Sequence, residues 1–306
     1  MYRNTFLSVM FLACCFNGSL CAQSDAQIYE RTCDAKTYPF SDPSPVATPN
    51  NSYYPYFRFD GFSMQAQEKQ WKMVVLENDY VKLTVTPEIG GKIWGAIDKV
   101  NNKEFVYTNG VVKFRDVAMR GPWTSGGIEF NFGIIGHAPT CSTPIDYLTK
   151  KNVDGSVSCH IFSYEWITRT VWNVEINLPK DKAYFTTHTT WFNQSSIDQP
   201  YYQWMNAGYA TKTGTRFYYP GTYSIGHSGD LHPYPIDEEG RDVSWYDNNN
   251  FGASKSLHII GDYNDYFGIY WHNEKHGSAH YSNYDEKLGM KFYLWSFSRE
   301  GAIWEE

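Results

Sequence analysis

The sequence predicts an all-β chain, a face-packed antiparallel β-sandwich. Two observations carry that reading. Apolar and polar residues alternate in run after run: across residues 171–178, Trp172, Val174, Ile176 and Leu178 point one way, and Asn173, Glu175 and Asn177 the other. After Gln23 no run keeps a 3.6-residue apolar period, and no 20–50-residue repeat or low-complexity tract occurs. A chain of 306 residues suits one large β domain or two modest ones, and we read one.

Taken in order, residues 1–22 read as an export signal. Arg3 supplies the positive start, residues 6–16 the apolar stretch, and Leu20-Cys21-Ala22 a cleavage site before Gln23. A lipoprotein reading at Cys14, Cys15 or Cys21 is the weaker one. No later stretch is apolar for long enough to span a bilayer, so the expected protein is exported, periplasmic or at the cell surface, and not transmembrane. Residues 23–69 read as a lead-in rich in Ser, Pro, Asp and Thr, with a short helical turn near residues 26–32. Within it the aromatic run 53–62 begins the fold or packs at an edge. Strands are expected at residues 71–76, 81–86, 92–98 and 104–107, separated by turn-forming clusters. Further strands follow over 156–170, 171–178, 184–193, 201–210, 256–272 and 289–297. The irregular stretch 220–252, with His227 and His232, is long enough to suggest function or mobility.

Composition narrows the partners. Aromatics reach 18%, with 25 Tyr, 19 Phe and 11 Trp, more than a core needs. Tyr and Trp suit surfaces that want a flat apolar body with a polar edge, as sugars and protein partners both do. The net charge is −7 and no basic run exceeds a pair, so nucleic acid is not an expected partner. Cys33, Cys141 and Cys159 lie beyond the signal; Cys141–Cys159 is the likelier bridge, against three unpaired thiols. No Cys-x-x-Cys occurs, and no cofactor or metal is expected.

The stretch 121–137 concentrates the candidate chemistry: Trp123, Glu129, Asn131, His137 and five glycines in 17 residues. Gly126-Gly127 frees the backbone for tight turning or close approach. The run 128–132 then alternates, placing Glu129 and Asn131 on one face and Ile128, Phe130 and Phe132 on the other. A sheet with a polar ligand face has this pattern, and so has an ordinary amphipathic strand.

Four segments carry a family resemblance. They are Thr86-Pro87-Glu88-Ile89-Gly90-Gly91-Lys92-Ile93-Trp94, Ser125-Gly126-Gly127-Ile128-Glu129-Phe130-Asn131, Trp204-Met205-Asn206-Ala207, and Gly289-Met290-Lys291-Phe292 with Leu294-Trp295. In this order they resemble a bacterial family of unknown function often found ahead of tetratricopeptide repeats, across residues 70–306. The resemblance implies a galactose-mutarotase-like β-supersandwich with a sugar-facing concave sheet. In mutarotases a His protonates the ring oxygen while a carboxylate removes the anomeric proton. His227 follows the Trp-Met-Asn-Ala strand in an order similar to theirs. The chain ends at Glu306, where such domains run on, and no residue here matches their C-terminal catalytic base. A truncated domain, fragment or split gene is therefore expected.

Each candidate has a plainer alternative. Glu129 is the acid candidate; as one of a glycosidase carboxyl pair it needs Glu165, Glu175 or Asp247, and otherwise it binds hydroxyls or anchors Arg120. His137 and His227 suit proton transfer, against a solvated or structural role. Trp123, Trp204 and Tyr209 suit sugar stacking and Asn206 a hydroxyl contact, against core packing. Lys92 and Arg120 suit a substrate carboxylate, or balance Glu129. His272, His276 and His280 recur every fourth residue, but a turn over 271–277 explains them better than a metal grip. The Asp/Asn cluster 242–250 reads as a solvated loop ahead of a calcium site. The expectation is a carbohydrate-handling protein, glycosidase or epimerase, with a non-catalytic glycan-binding module and a protein-binding scaffold as alternatives.

Overall fold

A computed structural model describes residues 24–47 and 54–294, apart from 119, 134, 135, 138, 201, 253, 287 and 288. The expected export signal and the end of the last predicted strand lie outside the described residues. The described chain is built from strands, with two short 3-10 turns at Pro139–Ser142 and Tyr246–Asn248. No described helix is long and apolar enough to cross a membrane.

Alternating runs assemble the first sheet. It takes β1 (Gln27–Tyr38), β2 (Gln67–Glu77), β3 (Val81–Thr86), β4 (Lys92–Asp98), β5 (Lys103–Val106) and β6 (Val112–Lys113). A two-stranded ribbon follows, β7 (Arg115–Asp116) with β8 (Pro122–Trp123), and then β9 (Ile128–Asn131) rejoins the sheet beside β4. Next come β10 (Asp146–Lys151), β11 (Val157–Glu165), β12 (Thr170–Leu178) and β13 (Thr186–Asn193), a four-stranded antiparallel meander. β14 (Trp204–Ala207) returns to pair with β9, completing the eight-stranded first sheet.

The two sheets pack face to face. Leu83, Val85, Ile93, Ile128, Phe130 and Phe132 from the first meet Cys159, Ile161, Trp172, Val174, Ile176 and Leu178 from the second. Trp172 is fully buried and stacks on Phe132 with ring centres 4.6 Å apart. The β3–β4 turn needs its glycines: Gly90 and Gly91 have φ of +65° and +68°, and a β-carbon on Gly91 would lie 2.4 Å from Ile145 Cδ1.

The remaining strands build a second pair of sheets. β15 (Thr215–Tyr218), β16 (Tyr223–Ile225), β17 (Leu231–Pro233), β18 (Lys255–Ile260), β19 (Tyr266–Trp271), β20 (His276–Tyr281) and β21 (Met290–Leu294) sort as β15-β19-β20 and β17-β16-β18-β21. Their shared core holds Phe217, Tyr234, Ile259, Ile269, Trp271 and Phe292.

The all-β expectation stands, and the strands expected at 81–86, 92–98, 104–107, 171–178 and 184–193 lie within a residue or two of the observed ones. Elsewhere β2 starts four residues early, β11 stops five short of 170, β14 is shorter than 201–210, and 256–272 is two strands, β18 and β19. The helical turn expected near residues 26–32 is instead β1, paired antiparallel with β2 from Gln27↔Glu77 to Thr37↔Gln67. Half of its residues are exposed and one is buried, so backbone pairing holds it and no apolar alternation announces it. The stretch 220–252, read as irregular, contains β16 and β17. The expected 271–277 turn ends sooner, because His276 and Gly277 open β20. Cys33, Cys141 and Cys159 are all free thiols, so the Cys141–Cys159 bridge does not form. Cys159 faces the sandwich core, while Cys141 packs with Val117 and Trp123 in a separate cluster.

Because Trp172 fills the centre of the sandwich, Trp172→Ala should cost about 3–5 kcal/mol of unfolding free energy. Urea titration should show that loss as a lower midpoint with an unchanged slope.

Candidate functional site

The alternation that buries one face of the first sheet aims the other. On β9, Ile128 and Phe130 enter the core, so Glu129 and Asn131 emerge opposite. On β4, Ile93 enters the core, so Lys92 and Trp94 share that second face. β14 pairs Trp204 with Asn131 and Asn206 with Glu129, adding both to the same surface. The double glycine makes the join possible. Gly127 has φ +66°, its N–H donates to Tyr107 O at 2.8 Å, and a β-carbon there would sit 2.2 Å from Ile93 O. β8 brings in Trp123, and the loop after β9 brings in His137.

These side chains converge on one carboxylate. Glu129 is 3% exposed. Trp123 Nε1 donates to its Oε2, and Asn131 Nδ2 donates to its Oε1 at 3.0 Å. His137 Nδ1 lies 2.8 Å from Oε1, an ion pair when the imidazole is protonated. His137 holds φ +54°, a left-handed conformation that non-glycine residues seldom adopt. Its ring meets two indoles edge-on, Trp123 at 5.5 Å and Trp204 at 4.9 Å. The imidazole is 21% exposed, and among the described residues its Nε2 has no hydrogen-bond partner. Trp204 Nε1 is likewise a buried donor without a partner among them.

Lys92 completes the charge balance from below. It is 2% exposed, its Nζ donates to Thr124 O at 2.6 Å, and it lies 5.2 Å from the Trp123 ring centre. Burial drives its pKa down to about 8, against the pull of Glu129. For Glu129 burial pushes the pKa up, but the charge and contact of His137, the charge of Lys92 and the Trp123 N–H outweigh it. The net position is below the usual carboxylate range. Burial first, and the Glu129 charge second, push the nearby Cys141 thiol well up. The cluster can therefore hold an ionised carboxylate out of water against a half-open imidazole.

Lys92, Trp123, Glu129, Asn131, His137 and Trp204 come together as the sequence suggested, with Asn206 alongside through its pairing. Arg120 lies in the turn leading into β8, its backbone N–H donating to Val117 O. Two candidates keep other company. Tyr209 packs against Trp271 in the second core and accepts a hydrogen bond from Ser278 at 3.5 Å. His227 sits 3.5 Å from Lys291 Nζ and 5.5 Å from the His258 ring, where burial and the Lys291 charge lower its pKa.

None of the expected second carboxylates joins Glu129. Glu165 accepts the backbone N–H groups of its own turn at Ile167 and Thr168, Glu175 accepts from Ser158 at 2.6 Å, and Asp247 accepts from Gly214 N–H at 2.8 Å. The spaced histidines also separate. His272 meets Tyr218 OH at 3.1 Å, His276 lies 3.8 Å from Asp98, and His280 stacks on Phe267. Among the described residues no three His, Cys, Asp or Glu side chains stand close enough to hold a metal. The Asp/Asn cluster fastens its own loop, as Asn249 Nδ2 donates to Val243 O and Trp245 O. Sequence reading missed Trp94 and the Thr124 carbonyl; the parity of Trp94 with Lys92 on β4 was the available signal for the first.

Residues 48–306 match a family described as a domain of unknown function, DUF5107. Among solved structures, the chain is similar to a TPR-domain containing protein from Parabacteroides distasonis ATCC 8503, with TM-score 0.78 and 23% identity. That alignment covers 89% of this chain and 47% of the other, so the chain spans about half that protein's length. It is more distantly similar to the Slr1438 protein of Synechocystis sp. PCC 6803, with TM-score 0.47, 13% identity, and 64% and 72% of the two chains covered. A candidate aldose 1-epimerase from Klebsiella pneumoniae subsp. pneumoniae MGH 78578 aligns at TM-score 0.39 and 9% identity, over 76% of this chain and 82% of that one.

The buried ammonium has a measurable signature. The folded protein releases the Lys92 proton near pH 8, whereas an unfolded lysine keeps it to about 10.5. Between those values the unfolded chain binds more protons, so this group makes stability rise with pH. Chemical denaturation from pH 7 to 11 should show that rise in the wild type relative to Lys92→Met, and equal slopes would refute the assignment.

Proposed function

This chain belongs to the DUF5107 family, and from that premise we propose that the face around Glu129 handles carbohydrate, with His137 as its proton-transfer group. The observation that carries the reading is the buried Glu129 carboxylate 2.8 Å from His137 Nδ1, between two indoles. A carboxylate on one ring nitrogen orients the imidazole and leaves Nε2 to work outward. In this reading a sugar stacks against Trp204, and the exposed Asn206 binds its hydroxyls. His137 Nε2 gives its proton to the ring oxygen of a reducing sugar as the anomeric hydroxyl loses its own to solvent. The ring C–O bond opens to the free carbonyl and recloses on either face, so atoms and charge balance. Glu129 positions the imidazole; it is too enclosed to touch the sugar.

Glycoside cleavage is the less supported chemistry, because no second carboxyl group stands with Glu129 among the described residues. The alternative is a glycan-recognition module without turnover, favoured by how fully Glu129 is already engaged. Residues 1–22 support a place for this activity outside the cytoplasm.

Anomer exchange measured by NMR across a panel of aldoses tests the proposal. The wild type should accelerate exchange of at least one sugar, and His137→Asn should lose roughly 100-fold or more of that rate. Glu129→Gln should slow it while sugar binding persists. Glycan-array binding without exchange would support the recognition module, and neither signal would end the carbohydrate reading.

A further inference from the structure

The outer face of the β15-β19-β20 sheet carries a second set of ligand-binding features, far along the chain from Glu129. Phe217, Ile269 and Trp271 point into the second core, so their neighbours on the same strands face outward. The register sets the outward residues in rows: Arg216↔Tyr270↔Gly277, then Tyr218↔Gly268↔Ala279, then Tyr266↔Tyr281. Gly268, Gly277 and Ala279 make a low floor, and tyrosines stand around it. The result is a groove of about 470 Å³ lined by Tyr218, Tyr266 and Tyr270 among others. That volume falls within the roughly 300–1,000 Å³ of small-ligand sites. From the Tyr270 row to the Tyr266 row the chain runs about 13 Å at strand rise, enough for more than one pyranose ring.

Beside the groove, against its lining residue Tyr218, stands a cation that is not itself part of the lining. The Arg216 guanidinium lies 5.2 Å from the Tyr218 ring centre and 5.1 Å from that of Trp245. Its Nε is buried with no hydrogen-bond partner, and among the described residues Arg216 makes no ion pair. A guanidinium held between aromatic faces is preorganised to take an anionic group through paired N–H donors. Tyr218 is itself fixed by its hydroxyl contact to His272 at 3.1 Å. The strand pair itself needs both glycines: a β-carbon on Gly268 would lie 2.5 Å from Ser278 O, and one on Gly277 2.7 Å from Tyr270 Cδ2.

We propose that this groove is a binding site for an acidic oligosaccharide, its rings lying over the glycine floor between tyrosines and one carboxylate or sulfate meeting Arg216. Tyrosine offers an apolar face and a hydroxyl edge, which matches a pyranose better than an aliphatic peptide side chain. The site shares no residue with the His137 cluster, so either proposal can fail alone.

Calorimetric titration of the full chain with trigalacturonate, alongside neutral galactotriose, tests it. Trigalacturonate should bind, galactotriose should bind more weakly, and Arg216→Gln should weaken the acidic ligand about tenfold or more. Ala279→Glu, an exposed position on the floor, should abolish binding by filling the groove with a like charge. Circular dichroism should confirm that both variants fold, and His137→Asn should bind as the wild type does. No binding by the wild type, or binding that Ala279→Glu leaves unchanged, would overturn the proposal. So would a wild-type dimer that Ala279→Glu converts to monomer, since the face would then join two copies of the chain.

Discussion

The site depends on keeping one ionised carboxylate out of water. Withdrawing a carboxylate from solvent costs several kcal/mol unless neighbours replace its hydration. Around Glu129 that replacement is nearly complete: an indole N–H and an amide donate, an imidazole touches it, and an ammonium lies within reach. Each donor then loses its freedom. Trp123 and Asn131 are as buried as the carboxylate, His137 accepts an unfavourable backbone angle, and Lys92 gives up part of its basicity. The site is therefore a single electrostatic unit, and a change to one member alters the conditions for the others.

What aims this unit is the sandwich beneath it. A strand shows its residues alternately to two faces, so every apolar residue that β9 and β4 commit to the core fixes a neighbour on the opposite side. Phe130 and Ile93 in the core thus place Glu129, Asn131, Lys92 and Trp94. Packing at this density leaves little room for a shift in register, which would exchange the two faces outright. The second pair of sheets repeats the logic: Phe217, Ile269 and Trp271 anchor their strands inward, and a tyrosine-rimmed surface turns outward beside Arg216, whose Nε has no hydrogen-bond partner among the described residues. In both places the chemistry occupies the face that the core does not.

Much of this was legible in the chain itself. Strands with a sharp alternation, such as Val81–Thr86 and Thr170–Leu178, read directly as strands. So did the shared face of Glu129 and Asn131. Less legible were elements whose support comes from elsewhere in the chain. β1 shows few buried side chains and is held by the backbone of β2. The histidine pairing was not readable either: His227, singled out by its order after the Trp-Met-Asn-Ala strand, faces Lys291 and His258, while His137 reaches Glu129.

The sequence alone determined the all-β class, the strands with one wet face, and the concentration of acid, amide, indole and imidazole in residues 121–137, because alternation and composition are local properties. Tertiary structure decided which imidazole meets the carboxylate, that among the described residues no second carboxylate joins it and Arg216 makes no ion pair, and that the cysteines stay apart. Those outcomes depend on how close residues distant in sequence come, and a distance between separate strands is set by packing that no local pattern encodes.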